Sequence, residues 1–367
     1  MNKSSSKDIL CCPKCLGCFD NNNNKSQLIC ANCQAIYRLQ DDGQYYDFYI
    51  ADENITSPTY PKSLGYLHYN REKILSIVAK NTIIDTIFNR KDFNDNWERE
   101  LIALQKNVRA YNLSERNRVE YMIDDDTTQE YKNQQYFTEV KSKIIMRYIS
   151  SVKHNGNKVL HIGCGGKCNE SIPIKYSNNK FINYGVEAVR SYVNEFSKHG
   201  EAHLANALSL PYQDESFSVI NFTDILEHLF DPLLGLVEAN RVLKQGGYLI
   251  LDTPNQNNIR SYKNPLIWAE HFIAQIFPKI SRKKIITGGW GGEVFFHTEF
   301  TKNELVSLLT YSGFSIKRIN IHSTGNNGDN ENEMRSIKKI IKSFFNYIAP
   351  IGSWFVLAEK VSHTNRN

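Results

Sequence analysis

The stretch KVLHIGCGGKCNESI, Lys158 to Ile172, decides the fold of this chain. Its apolar run, 158–162, ends at a cluster of three glycines, Gly163, Gly165 and Gly166. Because glycine has no Cβ, these positions let the backbone approach a ligand where a side chain would collide. The stretch therefore predicts a strand, a ligand-binding turn and the start of a helix.

Four more β-rich runs follow, separated by helix-type stretches, which is typical of a parallel sheet with crossover helices. In such sheets, ligands bind beyond the carboxyl ends of the strands. The second strand ends at Glu187, whose carboxylate can accept hydrogen bonds from both hydroxyls of a ribose. The five predicted strands are 158–162, 181–187, 202–206, 218–222 and 246–253.

A dinucleotide-binding loop is less compatible with the glycine stretch. That fingerprint needs a third glycine where this sequence has Cys168. A hydride-transferring dehydrogenase is therefore the weakest of the enzyme hypotheses.

Four short pieces follow one another between Leu210 and Asn255: LPYQDESFSVI, LEH, RVLKQGG and TPN. In this order and spacing they resemble the core of class I S-adenosylmethionine-dependent methyltransferases, in particular the branch that contains ubiquinone-biosynthesis O-methyltransferases. With VLHIGCGG and HTEFTKNELVSLLTYSGFSI, the similarity extends from Lys158 to Ile316. It implies an α/β, Rossmann-like sheet, parallel with a final antiparallel strand, and S-adenosyl-L-methionine as cofactor.

The resemblance also assigns cofactor-binding roles to residues at the ends of the predicted strands. Each role has a structural alternative, because glycines can simply turn the chain and an Asn can cap a loop. The assigned residues are Gly163, Gly165 and Gly166 behind the methionine part, Glu187 at the ribose, Asn206 and Ala207 at the adenine, and Thr223 near the donor methyl group.

Two residues of the glycine stretch depart from the family pattern. Members usually carry Asp or Glu at the position of His161 and a small residue at the position of Lys167. We assign His161 to the cofactor site, because a neutral imidazole can hydrogen-bond through water. Lys167 could bind the carboxylate of the cofactor but would repel its sulfonium. A degenerate protein that acts as a non-catalytic partner is therefore one alternative.

Transfer to an oxygen acceptor requires a base that removes the hydroxyl proton. By resemblance, His228 in LEHL is the first candidate and His297 in FFHTEF is the second. Asp224 could orient or replace either histidine. For both histidines, a purely structural hydrogen bond is the competing interpretation.

Six of the eight cysteines lie between positions 11 and 33. In a chain of this size, such crowding favours metal binding over disulfides. Two Cys-x-x-Cys pairs can place four thiolates around one structural Zn²⁺, and Cys15 with Cys18 is a rival first pair. The predicted ligands are Cys12, Cys15, Cys30 and Cys33.

The cysteine segment, about Ile9–Tyr49, resembles the small zinc ribbons of the methyltransferase-activator type, which accompany or are fused to methyltransferases of RNA and other substrates. We predict a zinc ribbon at 1–50, a helical connector or lid at 51–152 and a methyltransferase domain at 153–367. The domain contains an insertion at 255–300, which is longer than a simple connection requires and is the expected region for acceptor selection.

Composition limits the function classes. The 367 residues are 41% hydrophobic and 23% charged, which is ordinary for a soluble globular protein. The net charge of +5 is too small to imply nucleic acid by itself. No stretch reaches the roughly 18 uncharged apolar residues of a membrane span, and the first ten residues lack the pattern of a signal peptide. We expect a cytoplasmic protein.

We expect methyl transfer at oxygen or nitrogen to a small-molecule, glycan-type or lipid-linked acceptor. An RNA base methyltransferase, acting on ribosomal or transfer RNA, is the first alternative, because such enzymes also join a cysteine knuckle to this catalytic fold. The non-catalytic partner is the second. A basic run, 282–284, could meet a phosphate, an acidic glycan or an anionic membrane surface, although most such triplets are simply solvated.

Overall fold

The structure is a computed structural model that describes residues 6–20, 26–40, 45–48, 141–153, 156–165, 181–188, 190–229, 232–255, 300–322 and 352–361. Gly166, Lys167 and His297 lie outside these ranges, as do most of the predicted connector and insertion. No helix among the described residues is long and apolar enough to cross a membrane.

A small antiparallel pair of strands lies in the cysteine segment. Strand β1, Gln27–Ile29, pairs with β2, Ile36–Arg38, and a 3-10 helix, Ser6–Ile9, precedes both. Cys30 and Cys33 lie on the turn between the two strands. This arrangement of a cysteine turn between two short strands agrees with the predicted ribbon.

The main sheet has seven strands in the order β5-β4-β3-β6-β7-β9-β8. Neighbours from β5 to β7 run parallel, whereas β9 is antiparallel to β7 and to β8. The predicted parallel sheet with a final antiparallel strand is thus confirmed. The strands are β3 Lys158–Ile162, β4 Ile182–Glu187, β5 Glu201–Leu204, β6 Phe217–Thr223, β7 Leu243–Pro254, β8 Phe314–His322 and β9 Ser353–Lys360.

Helices cover both faces of the sheet, which explains why central strands such as β6 are buried along almost their whole length. Helix α1, at 141–151, packs on the face that carries Val159 and Val219. The helices that follow in the chain are α2 Arg190–Phe196, α3 Pro232–Val242, α4 Lys302–Tyr311 and a 3-10 turn at Leu226–His228. Helices α3 and α4 pack on the face opposite α1, with Leu160 and Ile220.

The end of the cysteine segment extends the sheet beyond β5. Leu204 donates its N–H to the carbonyl of Tyr46 at 3.1 Å, and Phe48 donates to the carbonyl of Leu204 at 2.8 Å. These bonds satisfy backbone groups that an uncovered edge strand would leave open. The segment therefore closes one edge of the sheet.

A second set of bonds holds the beginning of the same segment against the loop after β5. Cys11 donates its N–H to Pro211 at 3.0 Å, and Gln213 donates to Ile9 at 2.8 Å. The buried hydroxyl of Ser209 donates to the carbonyl of Pro13 at 2.8 Å. The cysteine segment and the sheet consequently share one hydrophobic core.

Phe48 is the main aromatic contact between the two parts, and we predict that Phe48→Ala lowers the free energy of unfolding by about 3–5 kcal/mol. Its buried ring lies 5.2 Å from the ring of Tyr37 and 5.4 Å from that of His203, measured between centroids. Urea denaturation measures the loss. Ile36→Ala, at a side chain that is 42% exposed, is the control and should stay within about 0.5 kcal/mol of the wild type. Equal effects of the two changes would contradict the prediction.

Candidate functional site

The carboxyl ends of four strands lie level at one edge of the sheet. The register pairs Ile162 of β3 with Val186 of β4 and His161 with Asn221 of β6, so Gly163, Glu187 and Thr223 lie at the same end of the sheet. Thr223 in turn pairs with Asp252 of β7. Because adjacent strands are about 4.8 Å apart, this edge brings predicted site residues from separate parts of the chain together.

The glycine turn after β3 has a backbone that side chains disfavour. Gly163 and Gly165 have φ angles of 63° and 74°, in the left-handed region. The N–H groups of Gly163 and Cys164 both donate to the carbonyl of Val186, at 2.8 and 3.2 Å. A Cβ at Gly163 would lie 2.0 Å from Cδ1 of Ile225. The first glycine is thus required by its conformation and by its close approach to Ile225.

Glu187 holds this turn in place from the end of β4. Its Oε2 accepts the N–H of Gly165 at 2.9 Å, and its Oε1 accepts the N–H of Ala188 at 2.7 Å. An ionised carboxylate has about four acceptor positions, so the two oxygens can also accept hydroxyl donors. The predicted pair of glycine turn and carboxylate is therefore side by side in the structure.

Asn206 and Ala207 lie in the tight turn that follows β5, and both are half-buried. The side-chain Oδ1 of Asn206 accepts the N–H of Leu208 at 2.8 Å. The backbone carbonyl of Asn206 accepts the N–H of Ser209 at 3.0 Å. Its amide therefore shapes the turn, as the capping alternative supposed. One lone pair of the same oxygen remains for a second donor.

His161 lies inside the protein, under helix α2. Its Nε2 is 3.1 Å from Oδ1 of Asn183, its Nδ1 is 3.3 Å from Nδ2 of Asn221, and its ring packs against Phe196. Burial lowers the pKa of His161 to about 4, so the ring is neutral at pH 7. Both ring nitrogens contact core amides, so this placement gives no support to a contact between His161 and a cofactor.

A cluster of charged groups lies next to the glycine turn, at the ends of β6 and β7. Nζ of Lys141 is 2.6 Å from Oδ2 of Asp224 and 2.6 Å from Oδ2 of Asp252. Glu227 is buried nearby and accepts a hydrogen bond from the hydroxyl of Thr253 at 3.1 Å. The cluster thus contains one ammonium and three carboxyl groups.

The charges in this cluster are distributed unequally. Burial raises the pKa of Asp252 to about 8, although Lys141 lowers it. Burial, reinforced by Asp224, raises the pKa of Glu227 well above the ordinary carboxyl value. Burial disfavours the Lys141 ammonium, but Asp224 and Asp252 raise its pKa above the ordinary value. The Lys141 ammonium thus pairs with two carboxyl groups, of which Asp224 is the more exposed.

Asp224 is also the most accessible acid of the cluster, because 40% of its side chain is exposed and Asp252 is fully buried. Its backbone has a φ of 53°, which is uncommon for a residue other than glycine. The predicted alternative base thus lies at the level of the glycine turn. The backbone of His228 follows in the 3-10 turn.

Sequence reasoning did not find Lys141. It lies in the stretch interpreted as a helical connector, 83 residues before Asp224 and 111 before Asp252. The spacing of apolar residues around Lys141 predicted a packed helix and did not indicate a site residue. Only the folded sheet brings helix α1 to the strand ends.

The four predicted cysteine ligands form one group. The sulfurs of Cys12, Cys15, Cys30 and Cys33 all lie within 4.8 Å of one another. The distances between Sγ atoms are 3.6 Å from Cys12 to Cys33 and 3.5 Å from Cys15 to Cys30. A tetrahedral zinc with bonds of about 2.3 Å needs sulfurs roughly 3.8 Å apart, so the group fits that metal.

Backbone groups support the thiolate character of this site. The N–H of Gly17 points to the sulfur of Cys15 at 3.4 Å, and the N–H of Cys33 points to the sulfur of Cys30 at the same distance. Such donors stabilise negatively charged sulfur. Cys18, which the rival pairing would use, is exposed and outside the group.

Comparisons with known proteins agree with this geometry. Residues 160–251 match the family model described as a methyltransferase domain. Demethylmenaquinone methyltransferase of Staphylococcus aureus is 28% identical over 182 residues, which cover 46% of this chain and 73% of that protein.

Solved structures with a similar fold include two methyltransferases. An S-adenosylmethionine-dependent methyltransferase of Methanosarcina mazei has a TM-score of 0.40 and 22% identity, covering 58% of this chain and 96% of its own. Magnesium protoporphyrin IX methyltransferase of Synechocystis, with bound S-adenosylhomocysteine, has a TM-score of 0.40 and 15% identity, covering 67% of this chain and 93% of its own.

The matched domain spans the glycine turn, Glu187, Asn206 and the end of β6. Residues 160–251 thus form a methyltransferase domain, and the domain and the curated relative together support S-adenosylmethionine-dependent methyl transfer. The acceptor is a separate question.

The position of His161 leads to a prediction about acid stability. A histidine with a lowered pKa in the folded state contributes stability above its ordinary value of 6.5, and this contribution is lost as the pH falls toward 4. Between pH 7.0 and 5.0, the wild type should lose about 2 kcal/mol more unfolding free energy than His161→Gln. Urea denaturation at both pH values measures this. Replacing the exposed His199 by Gln should leave the wild-type slope, and a wild-type slope in His161→Gln would contradict the prediction.

Proposed function

We propose that this enzyme transfers a methyl group from S-adenosylmethionine to an oxygen or nitrogen of a small-molecule, sugar or lipid-linked acceptor, with Asp224 as the base. The observation that carries the proposal is the position of the Asp224 carboxylate. It is half-exposed, directly follows Thr223 and lies level with the glycine turn. A carboxylate there can take a proton from a hydroxyl or amine that reaches the donor methyl group.

The glycine turn, Glu187 and the turn at Asn206 would hold the cofactor. Glu187 keeps acceptor capacity for the ribose hydroxyls while it fixes the N–H of Gly165. Glycine at position 163 lets the turn keep its left-handed backbone against Ile225, where a Cβ would clash, and so holds the turn next to Glu187. When bound, the sulfonium supplies an activated methyl group, so the protein mainly provides placement and a base. Thr223, Ala207 and Gly166 would make the contacts that the family pattern assigns to them, and Gly166 lies outside the described residues.

Asp224 is a better candidate for the base than the two histidines that the sequence favoured. Lys141 and burial leave the negative charge of the cluster on Asp224. His297 lies outside the described residues, and for His228 only the backbone is described. Both histidines remain predictions.

The ribbon is proposed to bind one structural zinc through the four cysteines. Four sulfur ligands leave no open coordination position, so the metal would stabilise the fold and take no part in the reaction. Because the segment shares a core with the sheet edge, zinc would also stabilise the loop after β5 that carries Asn206. We also propose that the chain divides into a ribbon at 1–50, a connector at 51–152 and a catalytic domain at 153–367.

The acceptor class draws support from the curated relatives. Their name gives demethylmenaquinone, a small molecule, as the substrate of those proteins. The modest net charge of +5 favours this class over RNA. The selection of the acceptor is assigned to the insertion at 255–300.

The proposal is tested by incubating the full-length protein with isotope-labelled S-adenosylmethionine and a native extract, separated afterwards into small-molecule, lipid and RNA fractions. Mass spectrometry then identifies the labelled product. Label on a small-molecule or lipid fraction supports the proposed acceptor class. Label confined to RNA would replace it with the RNA methyltransferase.

The proposed cofactor site predicts weaker cofactor binding in Glu187→Gln. This change removes the negative charge of the carboxylate that accepts the N–H of Gly165 and is proposed to accept the ribose hydroxyls. Charge-assisted hydrogen bonds contribute about 1.5–3 kcal/mol each, so the Kd for S-adenosylhomocysteine should rise tenfold or more. Isothermal titration calorimetry measures this. Glu195→Gln on helix α2, which removes a carboxylate paired with Lys198, is the matched control and should bind as the wild type does. Unchanged binding in Glu187→Gln would exclude the assigned role.

Zinc binding is tested with a pair of cysteine variants. Cys30→Ser should reduce the zinc content well below one per chain and lower the unfolding temperature, because a buried ligand is lost. Cys18→Ser should keep one zinc and the wild-type stability. Elemental analysis and a thermal melt measure both. Loss of zinc from Cys18→Ser would show that the rival pairing is used.

A further inference from the structure

We propose that Lys141 of helix α1 is a positioning residue for methyl transfer: its ammonium holds the Asp224 carboxylate ionised and in place beside the glycine turn. This inference rests on the proposed role of Asp224 as the base. It adds to the catalytic site a residue that lies before the matched methyltransferase domain, 160–251.

The ammonium group of Lys141 makes three hydrogen bonds. Its Nζ reaches both carboxylate oxygens of Asp224 and Oδ2 of Asp252. An ammonium has three N–H donors, so these three oxygens saturate it. Asp252 lies within β7 and is fully buried, which makes it an anchor, whereas Asp224 is half-exposed at the open end of β6. Lys141 therefore links the partly exposed Asp224 carboxylate to the fully buried Asp252 carboxylate.

The charges that face Asp224 explain why the tie affects ionisation. Lys141 of α1 is the cation among the described groups of this cluster, and the acids that face it are Asp252 of β7 and Glu227 of the 3-10 turn. An ammonium at 2.6 Å strongly favours the ionised form of a carboxylate. Without it, the charged groups described around Asp224 would be the acids Asp252 and Glu227, and Asp224 would take up a proton more readily.

The backbone of Asp224 needs support as well. A φ of 53° is a conformation that residues other than glycine rarely adopt, and it persists where neighbours over-determine it. One such neighbour is the carbonyl of Asp252, which accepts the N–H of Asp224 at 3.2 Å. Lys141 fixes the side chain from the other direction. Asp252 of β7 thus fixes the main chain of Asp224, and Lys141 of α1 fixes its carboxylate.

Helix α1 is itself well anchored, so Lys141 has a defined position. Ile145 and Ile149 of this helix are buried against Val159, Val219 and Phe355 of the sheet. The helix forms the described end of the predicted connector, 51–152.

The test compares three variants of the full-length, zinc-loaded protein: Lys141→Met, Lys141→Arg and, as matched control on the exposed side of the same helix, Lys143→Met. Thermal melts and calorimetry with S-adenosylhomocysteine establish that each variant folds and binds the cofactor. Methyl transfer to the small-molecule and lipid fractions of a native extract, used as the probe, is measured as a function of pH.

In Lys141→Met, we expect kcat at pH 7 to fall tenfold or more and the acid limb of the profile to move up by about one pH unit or more, with KM changed less than threefold. Lys141→Arg should keep the wild-type limb, because a guanidinium is also a cation, and Lys143→Met should behave as the wild type does. A wild-type profile in Lys141→Met would overturn the proposal and would leave a merely structural ion pair.

A second readout does not depend on turnover. The carboxyl carbon of Asp224, labelled with ¹³C and assigned through Asp224→Asn, is titrated by NMR in the same variants. Its midpoint should rise by about one pH unit or more in Lys141→Met. If the wild type does not methylate the probe, the proposed acceptor class has failed and this titration decides on Lys141 alone. An unchanged midpoint overturns the proposal.

Discussion

The left-handed turn at Gly163, locked into the parallel register of β3, is the constraint on which the site depends. Its N–H groups bond to the end of β4, and Ile225 fills the space where a Cβ would lie. Because β3 is the strand between β4 and β6, this register sets the level of Glu187 on one side and of Thr223 on the other. A change in the turn would separate the groups proposed to bind the cofactor from those proposed to act on the acceptor.

Charge compensation is the second organising feature. Three carboxyl groups at the ends of β6 and β7 are brought into a poorly solvated region with one ammonium. Burial favours the neutral form of two of them, and the remaining charge is matched by Lys141. Unpaired buried charges are strongly unfavourable. The pairing therefore binds Asp224, the most accessible acid of the cluster, to the Lys141 ammonium.

The cysteine segment and the sheet are interdependent. The segment supplies hydrogen bonds to β5 at one point and to the loop after β5 at another. The sheet in turn covers Phe48 and Leu10, which a segment of about fifty residues could not bury alone. A buried ion pair of Arg241 with Glu238 holds the same loop from the side of α3, since Glu238 also accepts the N–H of Leu210 at 3.0 Å. The turn at Asn206 is thus fixed from both sides.

The sequence by itself determined the order of strands from β3 to β7, the glycine turn with Glu187, and the four cysteines, because each is written in local spacing and residue type. Only the tertiary structure decided that His161 is a core residue and that Lys141 joins Asp224. His161 alternates to the face under α2, and Lys141 comes from a helix far away in the chain. Contacts of this kind depend on how faces and strand ends meet, which local periodicity does not encode.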